Sequence, residues 1–394
     1  MSAQNLYDLS PALRLMAMGL AVALAPLAWV WARNKNVSSA RRLRVLTLVT
    51  LFLTFDLVIF GAFTRLTDSG LGCPDWPGCY GSASPVGAQV HIQSAQSAMP
   101  TGPVTHFKAW IEMIHRYLAT GVGVLILTLT FLTWIAHREQ RRSTQSPKRD
   151  YILSPWWPTV TLAWVCLQGA FGALTVTMKL FPAIVTLHLL GGLLLLALLR
   201  AQSVRYLQLQ EQAVPAVLGT AMRRFVMAAC ALLWLQIALG GWVSTNYAVL
   251  ACSDFPACQN SFWPTMDFSQ GFTLWRKLGT SHDGSTISFQ ALTAIHYVHR
   301  LAAYAVFIAL MLLAVYLQRV PTLRKQALWL AGLTLMQVVT GLSNVVLGWP
   351  LLAAVAHSGG AAALVAVLTG IVFSSRKMSM LSRVSKLNAS RLPV

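Results

Sequence analysis

Nine apolar runs, each long enough to cross a bilayer, restrict this chain to one kind of fold. They fall at about 12–32, 43–64, 108–135, 155–177, 184–204, 225–246, 292–317, 327–347 and 353–373. At ~1.5 Å of helical rise per residue, each spans roughly the ~30 Å hydrocarbon layer. Backbone in hydrocarbon must satisfy its own polar groups, so such runs form helices. With 56% hydrophobic and 10% charged residues, the chain reads as an all-α integral membrane protein.

The net charge of +19 could suggest nucleic acid, but its distribution argues against that partner. Arg33, Lys35, Arg41, Arg42 and Arg44 follow the first run; Arg138, Arg141, Arg142, Lys148 and Arg149 follow the third. Arg200, Arg205, Arg223 and Arg224 flank the next such connection, and Arg319, Arg324 and Lys325 the one after. Arg376, Lys377, Arg383, Lys386 and Arg391 are in the tail. If the helices alternate, 22 of the 30 Lys and Arg residues share one side, which the positive-inside rule makes cytoplasmic. The charge is a topology signal. Ala23-Leu24-Ala25 could pass for a signal-peptidase site. Cleavage there would strand the basic stretch outside, so 12–32 is expected to remain as an extra helix, with the N-terminus outside and the C-terminus inside.

Cysteine placement agrees with that orientation. Cys73 and Cys79 lie in one long outer loop, Cys252 and Cys258 in another, each pair with five intervening residues. Two disulfides, Cys73–Cys79 and Cys252–Cys258, are expected in an oxidising compartment. Cys166 and Cys230 fall within apolar runs and are expected to be small packing residues.

The chain is also duplicated. Gly61-Ala62-Phe63 followed by Cys73-Pro74-Asp75-Trp76-Pro77-Gly78-Cys79 recurs as Gly240-Gly241-Trp242 followed by Cys252-Ser253-Asp254-Phe255-Pro256-Ala257-Cys258. Gln168 and Gly172 recur as Gln337 and Gly341; His188-Leu189-Leu190-Gly191-Gly192 recurs as His357-Ser358-Gly359-Gly360. Four helices per copy is an even number, so the copies run the same way through the membrane as parallel repeats, unlike the inverted repeats of many transporters. The expected architecture is two tandem four-helix bundles, 43–204 and 225–373, joined by a 205–224 linker. The extra helix and its linker occupy 1–42, and a basic tail 374–394.

Four histidines occupy matched places in this plan: His115 and His188 in the first half, His299 and His357 in the second. His115 and His188 are expected ~6–10 Å below the outer boundary. Two imidazoles at equal depth on different helices can ligate a haem iron from both faces, whereas structural zinc wants four ligands. The glycines Gly169, Gly172, Gly191, Gly192, Gly240, Gly241, Gly359 and Gly360 would serve close helix packing or a slotted porphyrin equally well. Arg116 and Arg300 directly follow a ligand candidate; they would snorkel to headgroups or pair with haem propionates. Glu112, three residues before His115, is a carboxylate within the membrane and so a functional candidate. Its counterpart is His296, which makes the halves chemically unequal. Asp56, also within an apolar run, has no evident partner. Trp76 and Phe255 would cover a haem edge or anchor at the interface.

Phe63-Thr64-Arg65-Leu66-Thr67-Asp68-Ser69-Gly70-Leu71, Glu112-Met113-Ile114-His115-Arg116, Thr175-Val176-Thr177-Met178-Lys179-Leu180 and Val243-Ser244-Thr245-Asn246-Tyr247 resemble the haem A synthase family, over about 43–373. That resemblance implies an eight-helix protein of the bacterial inner membrane that oxidises the C8 methyl of haem O to the formyl of haem A, the cofactor of terminal cytochrome oxidases. The helix at 12–32 is additional to that plan. By the resemblance, His115 and His188 receive haem O and His299 and His357 hold haem b; Glu112, held by helix geometry against the substrate ring, is then the expected catalytic residue. The cysteine pairs match bacterial members. Contact with a haem O synthase, with cytochrome oxidase assembly factors or with a second copy is left open. The four histidines fit two rivals as well: a di-haem b-type electron carrier and a haem transport or insertion factor. An electron carrier has little use for an intramembrane carboxylate in one half only, and a transport or insertion factor would hold weak, exchangeable haem in both halves.

Overall fold

A computed structural model describes residues 10–142, 154–211, 215–281 and 283–377. Lys148, Arg149, Arg383, Lys386 and Arg391 of the basic connections lie outside the described residues, as does the tail beyond 377. Eleven helices follow in order: α1 Ser10–Arg33, α2 Ser39–Leu66, α3 Gln89–Ala98, α4 His106–Arg142, α5 Trp156–Thr177, α6 Pro182–Gln210, α7 Thr220–Thr245, α8 Phe268–Gly271, α9 Phe289–Gln318, α10 Arg324–Val346 and α11 Leu351–Phe373. Among the described residues, nine are long and apolar enough to cross a membrane, all but α3 and α8. The protein is an all-α integral membrane protein, as its composition requires.

Local chemistry sets several helix boundaries. Ser288 begins α9 by accepting the N–H of Ala291 at 3.2 Å, and Pro182 opens α6, where a missing N–H costs nothing. Along the buried face of α2, the hydroxyls of Thr47, Thr50 and Thr54 donate to the carbonyls four residues back at 2.7 to 2.8 Å. No hydroxyl on that stripe is left unsatisfied in an apolar layer. α6 continues through Gln210, so part of the expected 205–224 linker is helix.

Two bundles emerge. Helices α2, α4, α5 and α6 pack around one another, as do α7, α9, α10 and α11. The contact between them follows from the duplication: α6 lies on α11, and the α2–α11 contact is matched by α7–α6. At the disulfide end, corresponding residues of the two repeats meet near this pseudo-twofold axis. Arg65 donates to the Ser244 carbonyl at 2.5 Å and Tyr247 to Asp68 at 2.7 Å, both across 179 residues. The Arg65 guanidinium also lies over the Tyr247 ring, 4.1 Å from its centroid. α1 has no repeat partner; it packs chiefly on α4. Gly19 and Gly121 permit that approach, since a Cβ on either would come within 3.0 Å of the facing helix.

One element lacks a sequence signal. Ala216–Leu218 (β1) pairs in parallel with Ser375–Lys377 (β2) at the end opposite the disulfides, in register Ala216 with Ser375. There the N–H of Ala216 bonds to the Ser374 carbonyl at 2.8 Å, tying the start of the second bundle to its last helix. The free cysteines divide. Cys230 packs partly against the second bundle's core, but Cys166 is exposed on α5. The packing role expected of Cys166 is therefore not what the fold gives it, because apolar sequence alone does not say which face of a span is buried.

Candidate functional site

The two disulfide loops are built from the same parts. Cys73 and Cys79 are bonded with Cα atoms 4.8 Å apart, and Cys252 and Cys258 with Cα atoms 4.7 Å apart. Asp75 accepts the N–H groups of Tyr80 and Gly81 at 2.6 and 2.8 Å; Asp254 accepts those of Gln259 and Asn260 at 2.7 and 2.9 Å. Tyr80, Gly81, Gln259 and Asn260 all have positive φ, and in that conformation successive N–H groups converge on one anion. These bonds, chiefly that from Asn260, hold the Asp254 carboxyl below its ordinary range. Trp76 and Phe255 are exposed at 46% and 49%.

Beneath each loop sit the histidines. Each ring rests against a glycine of the neighbouring helix. A Cβ on Gly61 would lie 3.1 Å from His115, and one on Gly172 would lie 3.4 Å from His188. In the second half the matching distances are 2.9 Å from Gly240 to His299 and 3.2 Å from Gly341 to His357. All four histidines are partly buried. Gln168 and Gln337 occupy equivalent places, lying on Gly191 and Gly360 so closely that a Cβ would fall 1.8 and 2.2 Å from the amide nitrogen.

These features fit a flat iron macrocycle. Two imidazoles suffice only when the ligand brings its own equatorial donors, and glycine at all four seats leaves room for a plane between helices. Among the described residues, no group of three or more His, Cys, Asp or Glu side chains converges as a metal site.

Glu112 is placed differently from expectation. Its carboxylate, 4% exposed, accepts the N–H of Cys73 at 2.8 Å and is ion-paired with Arg116. Both oxygens are therefore engaged by the loop and by its own helix, not turned toward the His115 ring. His296 stands in the same niche: the N–H of Cys252 lies 3.3 Å from its Nδ1 and Arg300 Nε 3.3 Å from its Nε2. A neutral imidazole accepts at only one nitrogen, whereas a carboxylate accepts from both neighbours.

Arg116 and Arg300, for which headgroup and propionate contacts were both left open, bond to the loops. Arg116 donates to the carbonyls of Pro77 at 3.1 Å and Gly78 at 2.5 Å. Arg300 donates to those of Asp254, Ala257 and Cys252 at 2.8, 3.1 and 2.6 Å. The tight loops leave carbonyls without backbone partners, and a planar five-donor guanidinium gathers them. Both arginines are loop clamps.

Sequence reasoning passed over three side chains. Gln236 lies 3.1 Å from His299 Nδ1, and Thr340 lies 3.0 Å from His357 Nδ1. Each is one polar residue in an apolar helix, which is unremarkable until the repeats are superposed. Arg276, 4% exposed, donates to Asn246 at 2.5 Å and to the Thr280 carbonyl at 3.1 Å above the second pair. Asp56 is exposed on α2 and has no hydrogen bond or ion pair among the described residues.

Fold and site together define a duplicated membrane protein with one histidine pair per bundle. Residues 44–369 match the model of the cytochrome oxidase assembly protein family, COX15-CtaA, and the chain belongs to that family. A protein of Shewanella oneidensis named heme A synthase is 38% identical over 85% of this chain and 98% of its own. Proteins of the same name from Caulobacter vibrioides and Mesorhizobium japonicum are 26% and 28% identical, over 82% and 83% of this chain and 93% and 89% of theirs.

Proposed function

We propose that this chain is a haem A synthase, oxidising the C8 methyl of haem O to a formyl group in two successive steps. The observation that carries the reading is the repeated arrangement of two imidazoles seated on glycines beneath a disulfide loop, in a chain similar to proteins of that name. His115 and His188 would hold the substrate, and His299 and His357 a resident haem b. The distribution of Lys and Arg supports a bacterial inner-membrane setting with the disulfide loops outside and the C-terminus inside.

Each step adds one oxygen at the oxidation level of water and releases two electrons and two protons, the electrons passing to an external acceptor: the first yields the alcohol and the second a gem-diol that loses water to leave the formyl group. The resident haem supplies electron-transfer chemistry when bound. The chain's own residues do the rest. His115 and His188 fix the ring by its iron, so that the methyl is presented in one place. The loop clamped by Arg116 roofs the site and limits entry of water. Glu112, one turn before His115, contributes a fixed negative charge that the second half lacks. Turned from the Cys73 N–H and Arg116 toward the ring on substrate binding, it would stabilise positive charge developing at the methyl carbon or take up a proton released there.

Pigment extraction from the purified protein tests this. Haem A or its alcohol precursor alongside haem b is the expected result. Haem b alone would indicate an electron carrier, and weakly held, exchangeable haem in both halves a transport or insertion factor.

A further inference from the structure

Behind their histidines the two halves carry different atoms. His357 Nδ1 lies 3.0 Å from Thr340 Oγ1, and that hydroxyl donates to the Met336 carbonyl at 2.8 Å. A hydroxyl whose proton is so engaged accepts, which keeps the His357 proton on Nδ1 and the lone pair on Nε2. His299 Nδ1 lies 3.1 Å from the side-chain amide of Gln236. The contact is through the amide nitrogen, which also lies 3.5 Å from His299 Nε2 and donates to the His299 carbonyl at 3.2 Å; as a donor it braces the ring without holding a proton on Nδ1.

The first half withholds both contacts. Gly240 corresponds to Gly61, and the residue four before each is Gln236 in one case and Leu57 in the other. Gly341 corresponds to Gly172, and the residue just before each is Thr340 or Phe171. Leu57 and Phe171 offer no polar atom, and His188 Nδ1 is buried with no partner among the described residues. The rings differ in orientation accordingly. Cε1 and Nδ1 of His357 are nearest Gly341, at 3.2 and 3.7 Å, whereas Cε1 and Nε2 of His188 are nearest Gly172, at 3.4 and 3.9 Å.

We propose that Thr340 is a positioning residue that locks His357 for permanent haem retention, and that Phe171, in the equivalent place, leaves His188 free to exchange its haem. The inference rests on the reading that His299 and His357 hold the cofactor and His115 and His188 the substrate. A hydrogen bond to the far nitrogen fixes tautomer and ring orientation and strengthens the imidazole as a donor; losing it typically weakens metal binding about 10 to 100-fold. Ligands without that bond must settle tautomer and orientation on each binding event, which lowers affinity. A cofactor site gains from the lock. A site that must release its product at every turnover does not.

The test uses purified full-length protein in detergent, with apomyoglobin in excess as haem acceptor. Thr340→Val keeps the shape and removes the hydroxyl. Its haem b should dissociate about 10 to 100-fold faster, with a higher midpoint potential because a weaker donor stabilises ferric iron less. Thr340→Ser should restore both. Phe171→Thr should slow haem release from the first half. His357→Ala separates the two levels of the account. If it leaves haem b content unchanged, the placement of the cofactor fails. If it abolishes haem b while Thr340→Val matches the unaltered protein in dissociation and potential, the positioning role fails and the placement stands.

Discussion

The two halves share their loops, their glycine seats and their histidines, and differ in what stands beside them. Under the first loop a carboxylate, Glu112, takes two hydrogen bonds, and the positions equivalent to Gln236 and Thr340 are the apolar Leu57 and Phe171. Under the second a neutral imidazole, His296, fills the carboxylate's niche, and the histidines have Gln236 and Thr340. Duplication kept the histidines and the glycines that seat them. Divergence touched the parts that decide what happens to it.

The strongest way to break that comparison is to erase the charge. Glu112→Gln retains the size and one acceptor, and should lower haem A formation by a factor of about 10² to 10⁴ while both haems stay bound. His296→Gln should change it little. Normal haem A yield from the glutamine variant, read by chromatography of extracted pigments, would remove Glu112 from the mechanism and leave it as a loop support only.

The clamps should separate the halves next. Arg116→Ala strands a buried carboxylate, which costs about 3 to 5 kcal/mol. Arg300→Ala strands loop carbonyls beside a neutral ring, at about 1 to 3 kcal/mol. Thermal unfolding in detergent should therefore place the Arg116 variant below the Arg300 variant. Equal midpoints would mean that Glu112 is not charged in its niche.

Much of this was legible in the sequence because helices keep spacing. Histidines, glycines and cysteines recur at nearly constant offsets, and each repeat needs only its own turns to bring them to one depth. The partners of Arg116 and Arg300 were not legible, since they depend on which carbonyls a folded loop leaves unpaired. Thr340 and Gln236 escaped notice for another reason. Their meaning lies in the contrast with Phe171 and Leu57, not in either residue alone. The pairing of 216–218 with 375–377 is three residues long and joins distant segments, so no local pattern announces it.

The smallest expected effect concerns the loops themselves. N–H groups of Asn260 and Gln259 depress the Asp254 pKa, so its contribution to loop order is fully present above the ordinary Asp value of about 3.9. It is lost as pH falls through the depressed value. The Cys252–Cys258 bond should become more readily reduced as pH falls through that range, and Asp254→Asn should abolish the dependence. A pH profile unchanged in the variant would assign the effect elsewhere.

The division of labour between the halves is tested most directly by extracting and identifying the haems of two purified variants, His115→Ala and His357→Ala. The account predicts that the first loses haem O and haem A but keeps haem b, and that the second loses haem b. Loss of the same haem from both variants would contradict it.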